Sequence, residues 1–311
     1  MMATREKLTM AQALNRALRD AMAEDETVVV FGEDVGHLGG VFRVTDGLTA
    51  EFGEQRCFDT PLAESAIVGV AVGMAMNGMR PVVEMQFDAF AYPAFEQVAS
   101  HVAKMRNRTR GRVALPMVIR IPYGGGIGGV EHHSDSSEAY FAHTPGLHVV
   151  VPSTVADAYG LLRAAIASPD PVIFFEPKKL YWSKEEVDVT RAVPPIGTAV
   201  MRRAGTDATL IAYGPAVPVA LDAAEVAAQE GRSLAVVDVR SLVPFDDETV
   251  CQAVRATGRA VVVAEASGFA SVAAEIVARI TERCFHSLAA PGRRGTGRRL
   301  SDLAPRSVRH L

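Results

Sequence analysis

Three short segments of this 311-residue chain gather the residue types that do chemistry. The first is Phe58-Asp59-Thr60-Pro61-Leu62-Ala63-Glu64-Ser65, where an extended stretch gives way to an apolar helix rich in small residues. A carboxylate at such a junction has two readings. Glu64 is either a helix-start acid favoured by the helix dipole or a partly buried acid suited to proton transfer. The second segment, Gly32-Glu33-Asp34, follows the first predicted strand at its carboxyl end, where open α/β sheets place their sites. A turn or cap role is the other reading of either acid. The third is Tyr123-Gly124-Gly125-Gly126-Ile127-Gly128-Gly129, followed by Glu131-His132-His133-Ser134-Asp135. A phosphate-binding fingerprint requires a helix directly after its glycines. None is predicted here, so the glycines are read as giving a loop its unusual backbone angles. That loop projects either a solvated or a catalytic histidine. Adjacent histidines rarely converge on one metal, and no second ligand pair with useful spacing accompanies them. Neither GxSxG nor GxxxxGK[ST] occurs.

The elements that must hold these segments alternate. Thr9, with Gln12 three residues on, gives a capping-box start to a first helix, and Leu14, Leu18 and Met22 give it one apolar face. Short apolar runs at Val28–Phe31, Pro81–Glu84, Met117–Ile121, His148–Val151 and Val172–Phe175 alternate with helical patterns at Ser65–Met79, Phe95–Arg108 and Val155–Ala167. This predicts an α/β fold with a mainly parallel sheet covered by helices on both faces. From Glu176 to Gly205 the pattern breaks into prolines and charges and reads as an interdomain linker. A second series follows, with strands near Ala208–Tyr213, Ser233–Asp238 and Ala260–Glu265 and helices near Val217–Gln229, Asp247–Ala256 and Ser271–Arg283. The predicted domains are 1–185 and 205–290, joined by a linker at 186–204. The helix after Glu64 carries Gly69 and Gly73, each costing about 1 kcal/mol against alanine. Either tight internal packing or the close approach of a subunit or cofactor explains them.

Composition bounds the rest. A net charge of −4 and a pI near 6.1 do not suggest a nucleic-acid surface. Cys57, Cys251 and Cys284 are far apart, without a CxxC pattern, and fit a reduced, cytoplasmic compartment. No run of about 18 apolar residues suggests a membrane span.

Together these segments resemble the beta subunits of the heterotetrameric 2-oxo acid dehydrogenases, the thiamine-diphosphate-dependent decarboxylase components of large multienzyme complexes. The resemblance rests on Val30-Phe31-Gly32-Glu33-Asp34-Val35-Gly36, Asp59-Thr60-Pro61-Leu62-Ala63-Glu64, Glu84-Met85-Gln86-Phe87, His133-Ser134-Asp135, Glu138–His143, Pro171–Pro177, Val237–Pro244 and Gly268–Ser271, in order from about residue 8 to residue 291. Pro93–Gln97 and Glu176-Pro177-Lys178 make the branched-chain type the best match, with pyruvate or acetoin types as the alternative. The fold implied is a transketolase-like pyrimidine-binding domain followed by a transketolase C-terminal-like domain. A noncatalytic nucleotide-binding or electron-transfer subunit is the rival from another class.

The resemblance implies roles residue by residue. Glu64 hydrogen-bonds N1′ of the thiamine aminopyrimidine and favours the tautomer whose 4′ nitrogen takes the proton from C2. Leu62, Gln86, Phe87 and Phe90 surround the pyrimidine, with Phe90 standing where relatives often have tyrosine. His133 assists substrate binding or acyl transfer to a lipoyl group of the acyltransferase core. Carbonyls around Ala165, Ile166, Ser168 and Asp170 match a structural monovalent-cation (K+) site. The chain contains no Gly-Asp-Gly and no Asn-Asn, the pattern that anchors Mg2+ and diphosphate in thiamine enzymes. An alpha subunit is therefore implied to hold that half of the cofactor in an α2β2 assembly. Residues 291–311 hold six arginines and one aspartate. This tail reads as an atypical replacement for the family's last strand and helix, produced either by a reading-frame change in the gene or by natural divergence, and it puts beta–beta pairing and core docking in question.

Overall fold

The computed structural model describes residues 5–190 and 194–297. Strand β1 (Arg5–Thr9) runs into helix α1 (Met10–Glu24). The Thr9 hydroxyl accepts from the Gln12 N–H, and the Gln12 side chain accepts from the Thr9 N–H, completing the expected capping box. Such a cap contributes about 1 kcal/mol. There follow β2 (Val28–Gly32), α2 (Leu48–Phe52), β3 (Cys57–Asp59), α3 (Glu64–Met76) and β4 (Arg80–Glu84). The helix expected over Phe95–Arg108 is broken. Helix α4 (Phe95–Gln97) passes through a π turn at Val98–Val102 before α5 (Met105–Arg108). Then come β5 (Val118–Tyr123), α6 (Glu138–Ala142), β6 (His148–Val150), α7 (Val155–Ala167), β7 (Val172–Pro177) and β8 (Lys184–Asp188).

The second series comprises β9 (Val200–Arg203), β10 (Ala208–Ala212), α8 (Ala216–Gln229), β11 (Leu234–Asp238), β12 (Ser241–Val243), α9 (Asp247–Thr257), β13 (Ala260–Ser267), α10 (Val272–Cys284) and β14 (Arg293–Gly297). Seven strands form one sheet in the order β12-β6-β7-β5-β4-β2-β3, parallel except for β12. Five form the other in the order β14-β13-β10-β11-β9, parallel except for β9.

Both faces of the larger sheet are apolar because successive residues of one strand enter opposite cores. Val29 and Phe31 pack on one side with α3, while Val28 and Val30 pack on the other with α1 and α7. The first of these cores continues through Ile211, Tyr213 and Val237 into the second sheet, so the two units share apolar packing.

Two expectations are corrected. The stretch read as a linker contributes two strands: β8 pairs antiparallel with β1, and β9 forms an edge of the second sheet. Of the 186–204 span, residues 191–193 lie outside the described residues. The edge strand thought missing after residue 291 is present. Arg293–Gly297 pairs in parallel with β13. Ladder hydrogen bonds come from the backbone, so a Gly- and Arg-rich segment satisfies them without an apolar pattern. Residues 298–311 of the tail lie outside the described residues.

Candidate active site at the carboxyl edge of the larger sheet

The expected site residues converge on the carboxyl ends of β2, β4 and β5. β2 ends at Gly32, which aligns with Asp59 on one side and Glu84 on the other. An added Cβ at Gly32 would lie 2.6 Å from the Glu84 carbonyl, so only glycine lets these strand ends meet. Glu33 and Asp34 emerge next. Asp34 accepts from the Gln86 side chain at 2.8 Å, which ties the end of β2 to the segment after β4. Asp59 accepts from the Gly36 and His37 N–H groups at 2.6 and 3.2 Å, so that acid of the Asp59–Glu64 segment is a loop anchor.

Glu64 is the first residue of α3, after Ala63 at the cap position, which makes no side-chain cap bond. It is half-buried, while Leu62, two residues before it, is 77% exposed. Glu33 lies behind, 5% exposed, and neither of its carboxylate oxygens has a hydrogen-bond partner. Burial and then the Glu64 and Asp34 charges push its carboxyl up to about 7, against a weaker pull from the Ala63 N–H. Near neutrality Glu33 is thus poised between its protonated and ionised forms. The sequence singled out Glu33, with Asp34, as a strand-end acid that was either a site residue or a turn or cap residue, and gave it no particular role. Its weight comes from burial and from an acid 31 positions away, which no local pattern records.

Aromatic side chains form the adjoining wall. Phe87 is buried and meets Phe90 edge-on at 5.5 Å between ring centroids. His133 packs edge-on against both, at 4.5 Å from Phe87 and 5.4 Å from Phe90. His133 Nδ1 lies 2.8 Å from the Glu131 carbonyl and 3.1 Å from that of Val130. Carbonyls only accept, so this contact places a proton on Nδ1 and leaves Nε2 for chemistry. His132 stands at positive φ and its ring lies 6.4 Å from Phe90. The glycine loop behaves as its composition predicts, with Gly124, Gly126 and Gly128 all at positive φ. It is held at both ends: the Gly124 N–H donates to the Asp135 carbonyl and the Gly125 N–H to the Glu265 carboxylate of the second sheet.

A paired charge cluster underlies the site. Arg120 is fully buried and donates to Glu84 at 2.7 Å and to both oxygens of Glu176 at 2.6 and 3.1 Å, while Tyr181 donates to Glu176 at 2.6 Å. Glu84, Arg120 and Glu176 inside the mainly apolar strands β4, β5 and β7 were a sequence signal for it.

Ala165, Ile166, Ser168 and Asp170 do come together, at the end of α7, on the opposite edge of the sheet from Glu64. There the Arg80 guanidinium donates to the carbonyls of Ile166 and Ser168 at 2.9 and 3.2 Å, and Arg106 pairs with Asp170 at 2.9 Å. The Ser168 hydroxyl bridges to the Asp170 carbonyl. Two of the oxygens expected to face a cation are thus already met by a cationic side chain.

A half-buried carboxyl at a helix start, a buried acid without partners behind it and a flat aromatic wall suit a planar heteroaromatic ring with a basic ring nitrogen. The aminopyrimidine of thiamine diphosphate is such a ring. Glu64 would face that nitrogen, with Phe87, Phe90, Leu62 and Gln86 around the ring.

Two α/β units with this carboxylate at the edge of the first define a transketolase-type protein. Residues 6–183 match the family model "Transketolase, pyrimidine binding domain" and residues 197–308 match "Transketolase, C-terminal domain". The second match runs past residue 291, where the resemblance read from sequence stopped. More particularly, the chain belongs to the beta subunits of the 2-oxo acid dehydrogenases. It is 57% identical over 94% of its length to the 3-methyl-2-oxobutanoate dehydrogenase subunit beta of Mycobacterium tuberculosis, of which 84% is covered. It is 56% identical, over 94% of this chain and 87% of the relative, to the pyruvate dehydrogenase E1 component subunit beta of Leifsonia xyli. The 2-oxoisovalerate dehydrogenase subunit beta of Bacillus subtilis is 48% identical over 92% of this chain and 88% of its own. A solved structure described as a split-gene transketolase, inactive beta4 tetramer, superposes with a TM-score of 0.76 over 97% of this chain and 92% of its own. At 22% identity that likeness concerns the fold.

Proposed function

We propose that this chain is the beta subunit of a branched-chain 2-oxo acid dehydrogenase, supplying the pyrimidine half of a thiamine diphosphate site shared with an alpha subunit. The observation that carries the reading is Glu64 at the start of α3, near enough for its charge to raise the buried Glu33, whose carboxylate oxygens have no hydrogen-bond partner. When bound, thiamine diphosphate supplies the electron sink for decarboxylation of a 2-oxo acid. Glu64 holds a proton at the pyrimidine ring nitrogen. Glu33 keeps that proton close, because two adjacent carboxylates cannot both ionise cheaply in a buried site. Phe87 and Phe90 exclude water from the ring face and orient it. His133 offers Nε2 to the substrate or to the lipoyl group that accepts the acyl fragment.

The sequence contains no Gly-Asp-Gly and no Asn-Asn, so Mg2+ and the diphosphate fall to the alpha subunit. Helix α3 supports the α2β2 assembly. Gly73 has nothing within 4 Å of an added Cβ, and Gly69 only one glutamine oxygen at 3.8 Å, so packing within the chain explains neither glycine. Val70 and Met76 are exposed on the same helix, which supports close approach by another subunit.

Reconstitution with an alpha chain that carries both missing motifs tests the reading. Thiamine- and Mg2+-dependent decarboxylation of 3-methyl-2-oxobutanoate is expected, with acyl transfer to a lipoyl domain. The Leifsonia relative makes pyruvate the comparison substrate. A kcat/KM for pyruvate above that for 3-methyl-2-oxobutanoate would move the assignment to the pyruvate type. No turnover of either would reject the class of reaction.

A further inference from the structure

Lys178 has no part in the chemistry above, yet its position is unusual. It follows directly on β7, in the turn Lys178–Leu180, and is 1% exposed. Its ammonium has no hydrogen-bond partner and sits 5.7 Å from the centroid of the Phe87 ring, over its face. A buried ammonium is costly to keep unless charges nearby compensate it. The carboxylates of Asp88, Glu265 and Asp135 are the compensating charges. Burial lowers Lys178 to about 8 and raises Asp88 to about 6; the Ser137 hydrogen bonds and then the Lys178 charge oppose the rise at Asp88, and Asp88 is the foremost charge opposing the fall at Lys178.

Asp88 does a specific job. It is fully buried and accepts from the Ser137 N–H at 2.9 Å and from the Ser137 hydroxyl. Ser137 ends the loop that begins at Gly124 and carries His133. Two routes therefore lead from one ammonium to His133: through the face of Phe87, whose ring His133 touches, and through Asp88 and Ser137 to the loop's far end.

We propose that Lys178 is a positioning residue for the reactive loop, the buried countercharge that keeps Asp88 in its gripping, ionised form while fixing the Phe87 ring against His133. This rests on the functional reading above. Other groups facing the pair leave it dependent on Lys178. Glu176 is engaged by Arg120 and Tyr181. Tyr92 donates to Asp135, and Glu265 accepts from the Gly125 N–H. Glu138, raised by burial to about 7, accepts from Tyr213, and the hydroxyl of Tyr123 has no partner. None of these supplies Asp88 with a positive charge.

The test uses the reconstituted holoenzyme. Wild-type turnover of 3-methyl-2-oxobutanoate or pyruvate is established first, and its absence would count against the functional reading alone. Lys178→Met is then expected to lower kcat about ten-fold. Losing the countercharge raises Asp88 further, so the acid limb of kcat/KM moves to higher pH by about half a unit or more. Asp88→Asn combined with Lys178→Met removes that limb and recovers part of kcat, which a merely structural role would not give. An unshifted acid limb, or a double variant whose loss is the product of the two single losses, would overturn the proposal. Hydrogen exchange across residues 124–137 of the wild-type holoenzyme serves if the variants fail to assemble. Protection is expected to fall as pH drops through about 6, and protection that stays constant there would overturn the proposal equally.

Discussion

Two buried acids at the larger sheet, Glu33 just past the end of β2 and Glu176 in β7, are treated oppositely by their surroundings. Glu176 has every oxygen engaged, by Arg120 twice and by Tyr181 once. Glu33 has neither oxygen within hydrogen-bonding geometry of a partner, feels only a weak pull from the Ala63 N–H, and faces the charges of Glu64 and Asp34. Burying a charge without partners costs several kcal/mol, so scaffolding acids acquire partners and the others stand out. The difference separates the part of the sheet that is finished within this chain from the part that awaits a proton or a ligand. Glu176 and Arg120 set the strand ends in place. Glu33 has no such partner, and the Glu64 charge lies near it.

The sharpest way to break this contrast is at Glu64. Glu64→Gln keeps the shape and removes the proton-sharing acid, so decarboxylation by the reconstituted enzyme is expected to fall roughly 10²–10⁴-fold, with the size-exclusion profile unchanged. Retained turnover would put Glu64 back among helix-start acids.

On the scaffold side the expected loss is in stability. Arg120→Met strands Glu84 and Glu176 as buried, uncompensated carboxylates, which costs about 3–5 kcal/mol. The variant can relieve this only by protonating those acids, so urea unfolding is expected to show a larger loss at pH 8 than at pH 6. A loss that does not change with pH would mean that packing, not charge, is what Arg120 contributes.

Glu33→Gln sharpens the other side. The folded state holds the Glu33 proton to about 7, whereas the ordinary carboxyl value is 4.5. Between those values the folded state binds more protons than the unfolded one. This contribution to stability is complete below 4.5 and is lost as pH rises through 7, at most about 3 kcal/mol in all. The glutamine variant is therefore expected to lose that downward slope and to exceed the wild type at pH 8 by about 1–2 kcal/mol in denaturant unfolding. Equal slopes in the two proteins would show that Glu33 is ionised throughout.

Much of this was legible in the chain. Parallel strands buried on both faces leave continuous apolar runs, and these placed Val28–Gly32, Arg80–Glu84 and Val172–Pro177 to within two residues at either end. Motif order pointed to Glu64, Gln86, Phe87 and His133, and the fold places them near the carboxyl ends of the strands, where Gln86 meets Asp34 and His133 meets Phe87. What escaped notice has few side-chain signals. Strand β9 hides in a proline-rich stretch because an antiparallel edge needs only backbone partners, and β14 hides among arginines and glycines for the same reason. The dominance of Glu33 and the seclusion of Lys178 depend on which distant groups surround them, and spacing along the chain does not carry that. The charged residues inside β4, β5 and β7 were a readable signal: Glu84 and Arg120 are direct register partners.

The smallest expected effect lies at the opposite edge of the same sheet, where Arg80 meets the carbonyls of Ile166 and Ser168. These oxygens resemble Glu176 in having a cationic partner, so they belong to the finished part of the molecule. Arg80→Ala removes two charge-assisted hydrogen bonds from a partly exposed position and is expected to cost about 1–2 kcal/mol. It also leaves carbonyls that a monovalent cation can satisfy. Thermal unfolding of the wild type is therefore expected to be the same in K+ and in choline, while the variant regains stability in K+ alone. If the wild type already depends on K+, the cation and the guanidinium bind side by side, and the contrast between finished and waiting regions does not extend to this edge.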